Sequence, residues 1–499
     1  MRHAHRFATL PQWSRRSFLR AAGLTAAGLA LPSGLIGCGD GGGSSATDTE
    51  IPLTVDPAVP WWLQNGFEPV FDELSSTDLE VVRGRVPSEL NGLYVRNGSN
   101  PQHADSPHWF FADGMVHGVR FERGRPAWYG NRYIRTPLYE AGVRFNDPLA
   151  GPPVGGNNQS NVSCIWHAGR LLTSGEVGFP YQIDPTDLST IGVHDFGGML
   201  QTSFTAHPKI DPATGYLHFF GYWFLPPFLT YLVADANGQV LSRQEVAVAA
   251  TTMVHSFAIT ERDVVFWEMP VLFDLLAAAT GADNPFKWDA SYGSRIGIMP
   301  LGGNTAEIRW VEIPNGYVFH EVNAFRDGDE VVLDVCRHDS IFDNGKDLED
   351  SDVSLRRWRV NTAGATLSFR EELVIDREVE LPSRDRRIVG RPYRYGWFVF
   401  AREHPDTLDL GGIAGIDYRT GRMREWDPGP NRHANEALFV PGGPGEADGW
   451  LLTLVYDRGA DASNLCILDP LRVDRGPIAE IRLPRRVPHG FHAAWVPSA

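Results

Sequence analysis

Four histidines are the residues of this chain whose type and spacing could do chemistry. Each stands beside a short apolar run typical of a strand, and the four are His207, His255, His320 and His492. Their successive gaps of 48, 65 and 172 residues are far longer than the ligand spacing of a zinc finger. Imidazole binds iron, copper, nickel and zinc, so ligand type alone does not select the metal. The pattern predicts one transition-metal site assembled from four separate strands or strand ends.

The elements that must position these histidines are short strands separated by turns. Apolar or alternating runs predict strands at 92–96, 116–121, 264–268, 330–335, 397–400 and 449–456. Residues 271–279 are the clearest helical candidate. So many short strands indicate a closed or radially repeated all-β architecture, because an open sheet of this size would leave unprotected edges. No internal repeat allows the blades of a propeller to be counted.

Composition places the chain among globular proteins and excludes a nucleic-acid partner. Charged residues make up 21% and hydrophobic residues 42% of its 499 residues. The formal net charge is -16 and the basic residues are scattered, whereas phosphate binding needs a basic face. No convincing linker interrupts residues 52–499, so we expect a single domain there.

The N-terminal residues resemble a targeting segment rather than part of the fold. Residues 14–19 read SRRSFL, a twin-arginine sequence, and the apolar stretch 21–37 that follows is a poor membrane span. Residues 35–38 read LIGC, which resembles a lipoprotein processing box. We therefore interpret residues 1–37 as an export signal, Cys38 as a lipidation site and residues 38–51 as a flexible tether of a periplasmic protein. A coincidental cysteine in an ordinarily cleaved signal is the alternative.

Motifs along the chain resemble those of one known family. Residues 91–98 read NGLYVRNG and residues 108–117 read HWFFADGMVH. The histidine contexts are FTAHPK, VHSFAIT, FHEVNA and GFH, with Ser256 where an aspartate is usual. In this order, from about residue 60 to residue 497, the sequence resembles the carotenoid cleavage oxygenases. These include carotenoid, apocarotenoid and lignostilbene dioxygenases.

The resemblance implies a fold, a metal and a set of ligands. It implies a seven-bladed β-propeller with a helical or loop dome over its top face. One Fe(II) per chain would lie on the propeller axis, held by the four histidines, and the match to GFH favours His492 over His489. By the same resemblance, three carboxylates orient the imidazole rings: Glu176, Glu380 and Glu436. The alternative for each glutamate is a solvated surface side chain.

The implied reaction is cleavage of a carbon–carbon double bond by O2, which gives two carbonyl products and needs no organic cofactor. Four imidazoles on an octahedral Fe(II) leave two open positions, whereas zinc prefers a closed tetrahedral site and has no redox chemistry. The substrate would be long, flat, conjugated and apolar. Residues 219–229 would line a tunnel or belong to the propeller core. Residues 271–279 would form an apolar patch on a membrane surface.

Three other functions stay open from the residues alone. Stilbene-type cleavage is disfavoured because residues 133–138 offer no lysine for a phenolic oxygen, so we expect a carotenoid or apocarotenoid. A non-catalytic exported propeller that binds polyenes would carry the same histidines. So would an enzyme that isomerises its substrate and cleaves an ester. Neither the cleaved bond nor the oligomeric state follows from these patterns.

Overall fold

Tight turns fold each strand of this protein back onto the next. The computed structural model describes residues 51–498 apart from 148–149, 152–153, 344–347, 349–350 and 403–407. The twin-arginine segment and Cys38 lie outside the described residues, so their interpretation stays a prediction. Two turns show why glycine is needed, because Gly328 and Gly421 have φ values of 61° and 68°, in the left-handed region. The result is a succession of antiparallel hairpins.

The described strands form seven antiparallel sheets of four or more strands, which we call blades, and one short hairpin. The first strand, β1 (Ser75–Ser76), is an edge strand of blade 1, and the second, β2 (Glu80–Gly84), belongs to blade 7. Blade 1 also contains β3 (Gly92–Ser99), β4 (Gly114–Glu122) and β5 (Arg125–Tyr133). Blade 2 contains β6 (Ser163–His167), β7 (Arg170–Ser174), β8 (Tyr181–Ile183) and β9 (Thr190–Val193). Blade 3 contains β10 (Lys209–Ile210), β11 (Leu217–Tyr222), β12 (Leu229–Ala234) and β13 (Val240–Glu245).

The remaining blades continue in chain order. Blade 4 starts with β14 (Ala258–Ile259) and β15 (Asp263–Glu268), is interrupted by the hairpin of β16 (Val271–Phe273) and β17 (Phe286–Trp288), and ends with β18 (Ser294–Pro300) and β19 (Arg309–Ile313). Blade 5 contains β20 (Tyr317–Asp327), β21 (Glu330–His338), β22 (Val353–Asn361) and β23 (Ser368–Ile375). Blade 6 contains β24 (Val379–Ser383), β25 (Tyr395–Arg402), β26 (Asp409–Asp417) and β27 (Arg422–Trp426). Blade 7 contains β28 (Arg432–Ala434), β29 (Leu438–Pro441), β30 (Gly449–Asp457), β31 (Ala462–Leu468) and β32 (Ala479–Arg482), and β33 (Ala493–Pro497) is the last strand.

The two ends of the described chain close the ring of blades. β33 pairs with β3, with Ala493 opposite Arg96, and so completes blade 1 from the C-terminal side. β2 pairs with β32 and so extends blade 7 from the N-terminal side. A radial arrangement of this kind leaves only short strand edges. The expectation of an all-β, seven-bladed propeller is confirmed.

Local predictions from the sequence hold for the strands and fail in part for the helix. All six predicted strands are present, each inside an observed strand. The described α-helices are α1 (Pro137–Ala141) and α2 (Leu275–Ala279). The helix predicted for residues 271–279 is therefore wrong in its first half, which pairs with β17 as β16. Asp274 causes the change, because its side chain accepts a hydrogen bond from the Ala277 amide and caps the helix there.

Apolar side chains of neighbouring blades pack together between the sheets. Val265 of blade 4 lies in one cluster with Leu333 and Trp358 of blade 5. Phe219 and Phe220 are fully buried in similar clusters, so this part of residues 219–229 is propeller core rather than tunnel lining. Full burial of such side chains contributes about 1.5–3 kcal/mol each. The blades therefore give a rigid frame for side chains at their strand ends.

Candidate metal centre

Four imidazoles from different blades meet at one point. One ring nitrogen from each lies within 4.8 Å of the others, and the four residues are His207, His255, His320 and His492. The ring centroid of His207 lies 4.6, 4.9 and 4.4 Å from those of the other three, in that order. His207 precedes β10, His255 precedes β14, His320 lies in β20 and His492 precedes β33. Residues far apart in sequence thus come together because the blades are arranged radially.

Three of these imidazoles have a carboxylate partner on their Nδ1 side. The pairs are His255 Nδ1 with Glu176 Oε2 at 2.6 Å, His320 Nδ1 with Glu380 Oε2 at 2.6 Å, and His492 Nδ1 with Glu436 Oε1 at 2.9 Å. An ionised carboxylate only accepts hydrogen bonds, so each pair fixes the imidazole proton on Nδ1. The Nε2 lone pair is then free to face the cluster. The structure therefore places all three predicted glutamates where they orient histidine rings.

The other oxygen of each of these glutamates accepts a further hydrogen bond or lies next to another donor. In the same order, the partners are the Tyr222 hydroxyl at 2.9 Å, His338 Nε2 at 3.2 Å and the Ala493 amide at 2.7 Å. Burial raises the pKa of the Tyr222 hydroxyl well above its ordinary value, so this group stays a hydrogen-bond donor. Both oxygens of each glutamate are therefore held in place, and this fixes the orientation of the histidine ring beside it.

Charge and burial keep the site in the protonation state that binds metal. Burial raises the pKa of the Glu380 and Glu436 carboxyls, but electrostatic attraction and hydrogen bonds from neighbouring groups, chiefly His320 and His492, lower it more, so both carboxyls titrate below their usual range. Burial lowers the pKa of His207 well below its ordinary value, and the three neighbouring imidazoles lower it further. Burial also lowers the pKa of His320, which Glu380 offsets only in part. Neutral imidazole is the form that ligates a metal ion.

The polar atoms inside the cluster fit one metal ion. His320 Nε2 is buried and has no hydrogen-bond partner among the described residues, which is unusual for an interior polar atom. His207 Nε2 lies 2.9 Å from His255 Nε2. The His255 Nε2 atom carries a lone pair, because the proton of this ring is on Nδ1. A cation at the centre would satisfy all of these nitrogens together. Four neutral nitrogen donors suit first-row transition metals.

The segment that carries His492 is locked against the beginning of blade 1. The Asn97 amide donates to the His492 carbonyl at 3.1 Å. A Cβ on Gly490 would lie 1.9 Å from Arg96 Nη1 and 2.8 Å from the Cα of Gly98, so only glycine fits there. The RNG and GFH motifs, almost 400 residues apart in sequence, are therefore two sides of one contact that positions the last histidine.

His489 lies outside the cluster. Its Nδ1 is 3.2 Å from Asn435 Oδ1, and its ring packs on Phe67 with 4.8 Å between centroids. The structure thus brings His492, and not His489, together with the other three histidines.

Aromatic side chains border the imidazole cluster. The Phe319 ring lies 5.3 Å from that of His255, and the Phe110 ring lies 5.9 Å from those of Phe319 and Phe491. Phe319 and Phe491 are buried. The surroundings of the cluster are therefore apolar on this side, and a molecule that reached it would meet aromatic rings rather than charged groups.

Comparison with known proteins assigns the family. The family model described as retinal pigment epithelial membrane protein matches residues 67–497. The chain belongs to this family, the carotenoid cleavage oxygenases. The resemblance inferred from the motifs is thereby confirmed.

Individual carotenoid cleavage oxygenases are similar over almost their whole length. The carotenoid cleavage oxygenase of Mycobacterium tuberculosis is 34% identical, covering 88% of this chain and 97% of its own. The lignostilbene dioxygenase of Pseudomonas brassicacearum superposes with a TM-score of 0.82 at 27% identity, covering 89% of this chain and all of its own. The apocarotenoid oxygenase of Synechocystis superposes with a TM-score of 0.76 at 27% identity, covering 87% and 98%. Members of the family are Fe(II) enzymes, and the four histidines of this oxygenase could bind one such ion.

Two contacts of this oxygenase's centre were not foreseen from its sequence. Tyr222 donates a hydrogen bond to Glu176, and His338 approaches Glu380. Both residues end a strand that is buried along almost its whole length, β11 and β21 respectively. A polar aromatic side chain at the end of a strand is the only signal that the sequence offers for them.

Proposed function

We propose that this protein is a non-haem Fe(II) dioxygenase that cleaves one double bond of a carotenoid or apocarotenoid with O2. The observation that carries the proposal is the cluster of four imidazoles, three of them hydrogen-bonded to carboxylates. The proposed ligands are His207, His255, His320 and His492, and the proposed orienting residues are Glu176, Glu380 and Glu436. Membership of the carotenoid cleavage oxygenases supports this assignment.

The division of labour between iron and protein follows from the site. Bound Fe(II) supplies the activation of O2, which imidazoles and carboxylates cannot provide. The chain's own residues hold neutral nitrogens in place and keep the surroundings apolar. In the overall reaction the carbon–carbon double bond and the O–O bond break and two carbonyl groups form. The alkene loses four electrons and O2 gains four, so no further reductant is needed.

A polyene fits the surroundings of the cluster better than a phenolic stilbene. Phe110, Phe319 and Phe491 offer aromatic faces to a conjugated chain. In the segment 133–138, the only cationic side chain is that of Arg135, and it pairs with Glu73 at 2.9 Å. The similar Mycobacterium tuberculosis protein, at 34% identity, is named a carotenoid cleavage oxygenase. Stilbene-type cleavage is therefore the less favoured function.

Product analysis under labelled oxygen tests this function. We expect Fe(II)-loaded protein incubated with a panel of apocarotenals, carotenoids and stilbenes under 18O2 to release two carbonyl products that both carry label. His320→Ala should abolish this release, because it removes a ligand. Retention of full activity by that variant would contradict the ligand assignment.

The same panel separates the other functions. Binding of a polyene without turnover would indicate a non-catalytic binding propeller. A rearranged product without label would indicate an isomerase, and turnover of stilbenes alone would replace the polyene substrate by a phenolic one.

We also propose that the protein is exported by the twin-arginine route and anchored in the periplasm through a lipid on Cys38. The SRRSFL and LIGC sequences support this proposal. An intact mass of the mature protein tests it: acylated Cys38 as the first residue is expected. A mature chain that starts elsewhere, without a lipid, would contradict it.

An exposed apolar patch supports contact with a membrane surface. The patch consists of Leu275 and Leu276 on α2, which are 50% and 74% exposed, and Leu225, which is 51% exposed. Contact between the rings of Phe224 and Phe273 connects these two segments. No helix among the described residues is long and apolar enough to cross a membrane. We therefore propose that the protein lies on the bilayer surface through this patch, where apolar substrates are dissolved.

A further inference from the structure

His207 differs from the other three histidines of the cluster in what holds it. Among the described residues, no carboxylate oxygen lies within 4.0 Å of a ring nitrogen of His207. The strand that follows it, β10, has only two residues, which pair with His218 and Leu217. A two-residue ladder gives this segment little backbone support. Neither a glutamate nor a long strand therefore holds this imidazole.

A buried network begins two residues after His207. Lys209 Nζ lies 2.8 Å from Glu321 Oε1 and donates to Ser256 Oγ at 3.1 Å. Ser256 Oγ donates to Glu321 Oε2 at 2.7 Å. All three residues are buried, with exposures of 6%, 0% and 5% for Lys209, Ser256 and Glu321. We call this triangle the Lys209 network.

The Lys209 network ties together three of the segments that carry the proposed ligands. Lys209 follows His207 by two residues, and Ser256 directly follows His255. Glu321 directly follows His320. Three neighbouring blades thus contribute one member each, and every member lies within two residues of a histidine of the cluster.

The hydrogen bonds of the network are internally consistent. The ammonium of Lys209 donates to both partners, the serine hydroxyl donates its single proton to Glu321, and the carboxylate accepts on both oxygens. Removal of one partner of such a buried charge pair strongly destabilises a protein, because the other charge is left buried without compensation.

The chain between Lys209 and His207 is stiff enough to transmit this constraint. Pro208 lies between them, and the pyrrolidine ring fixes its own φ near −65° and restricts the residue before it. Lys209 and His207 are therefore joined by a single residue of restricted backbone freedom, so a constraint on Lys209 limits the positions open to His207.

We propose that the Lys209 network is the positioning device of His207 and does for this imidazole what the glutamates do for the other three. The inference rests on the proposed metal site. Lys209, Ser256 and Glu321 are positioning residues, since none of them touches the place where a metal would lie. Ser256 serves here through its hydroxyl proton, which an ionised aspartate at this position would lack.

Cobalt binding tests the positioning role. We would titrate Co2+ into wild-type protein, Lys209→Met and Ser256→Ala, and record the dissociation constant and the visible absorption spectrum. Loss of a supporting partner typically costs about 10–100-fold in metal affinity, which we expect for Lys209→Met. Ser256→Ala should weaken binding by a smaller factor in the same direction. Both spectra should change in shape, because His207 no longer coordinates in the native geometry.

The matched control is Arg357→Met. Arg357 pairs with the buried Asp334 through two hydrogen bonds of 2.8 Å, but it contacts none of the four histidines. This variant should lose thermal stability and keep the wild-type dissociation constant and spectrum. The role of the network is overturned if folded Lys209→Met or Ser256→Ala binds Co2+ like the control.

Two outcomes separate this inference from the function on which it rests. Wild-type protein that binds no Co2+, or binds it equally after His320→Ala, would overturn the metal site and the network together. Tight binding that depends on His320 but not on Lys209 would overturn only the network.

Discussion

Replacement of Glu380 by glutamine tests whether the carboxylates set the affinity of the metal centre. Glu380 Oε2 accepts from His320 Nδ1 and from the Leu381 amide, both at 2.6 Å, and Oε1 lies 3.2 Å from His338 Nε2. Glutamine has the same shape but only one acceptor oxygen. If that oxygen faces His320, the amide nitrogen faces His338 as a donor and the charge is lost. The geometry thus changes little while the electrostatics change completely.

The magnitude follows from the bonds that are weakened. A hydrogen bond to a charged group contributes about 1.5–3 kcal/mol, against about 1 kcal/mol for a neutral one. The loss of the charge alone therefore costs about 0.5–2 kcal/mol, and each 1.4 kcal/mol is a factor of ten in affinity. We expect Glu380→Gln to bind Co2+ or Fe2+ roughly 10-fold more weakly, within the range measured for such partners.

The assay is a metal titration of Glu380→Gln beside a matched control, Glu371→Gln. The two glutamate side chains are equally exposed, at 23%, but Glu371 accepts from Trp358 and lies away from the cluster. The control should bind metal like wild type. Equal affinity of Glu380→Gln and wild type, or equal losses in both variants, would refute the reasoning that the carboxylate acts through His320.

Three further predictions concern the motif contact, the pH dependence and the membrane patch. Gly490→Ala should lower the free energy of unfolding by about 1–3 kcal/mol, because the added methyl group overpacks against Arg96, and should also weaken metal binding. The control Gly364→Ala, whose added methyl group would have no contact closer than 3.5 Å, should change neither quantity. Chemical denaturation and Co2+ titration measure the two effects. Burial lowers the pKa of His218 from 6.5 to about 4, so the unfolded chain binds a proton that the folded one does not, and stability should fall by about 3 kcal/mol as the pH drops from 6.5 to 4. His218→Phe should flatten this slope, and an unchanged slope would contradict the assignment. Leu276→Glu should leave the melting temperature unchanged and reduce binding to lipid vesicles about 10-fold or more, since a leucine buried in the bilayer contributes about 1.5–3 kcal/mol. Undiminished binding would show that the patch does not contact the membrane.

Residues of this centre that lie in short sequence motifs could be predicted from the sequence, whereas residues whose role depends on distant partners could not. The four histidines and three glutamates lie in short motifs, so each could be assigned before any contact was known. The strands could be placed because their apolar runs have a clear period. The start of α2 could not, since residues 271–273 suit a helix and a strand equally until their partner β17 is known. The partners of Lys209 could not either, because Ser256 and Glu321 lie 47 and 112 residues further along the chain.

Irregular backbone explains why even a correct strand prediction would not have revealed the Lys209 network. In a regular strand, His320 and Glu321 would point to opposite faces, and only one of them could serve the axis. The register of β20 against β21 shifts on both sides of Glu321, so a bulge turns both side chains inward, His320 to the cluster and Glu321 to Lys209. β24 has a similar shift after Glu380, where Leu381 takes a φ of 50° that costs a leucine about 1–3 kcal/mol. The strained Leu381 thus lies directly beside a carboxylate that hydrogen-bonds a histidine of the cluster, and the surrounding structure must hold this conformation in place.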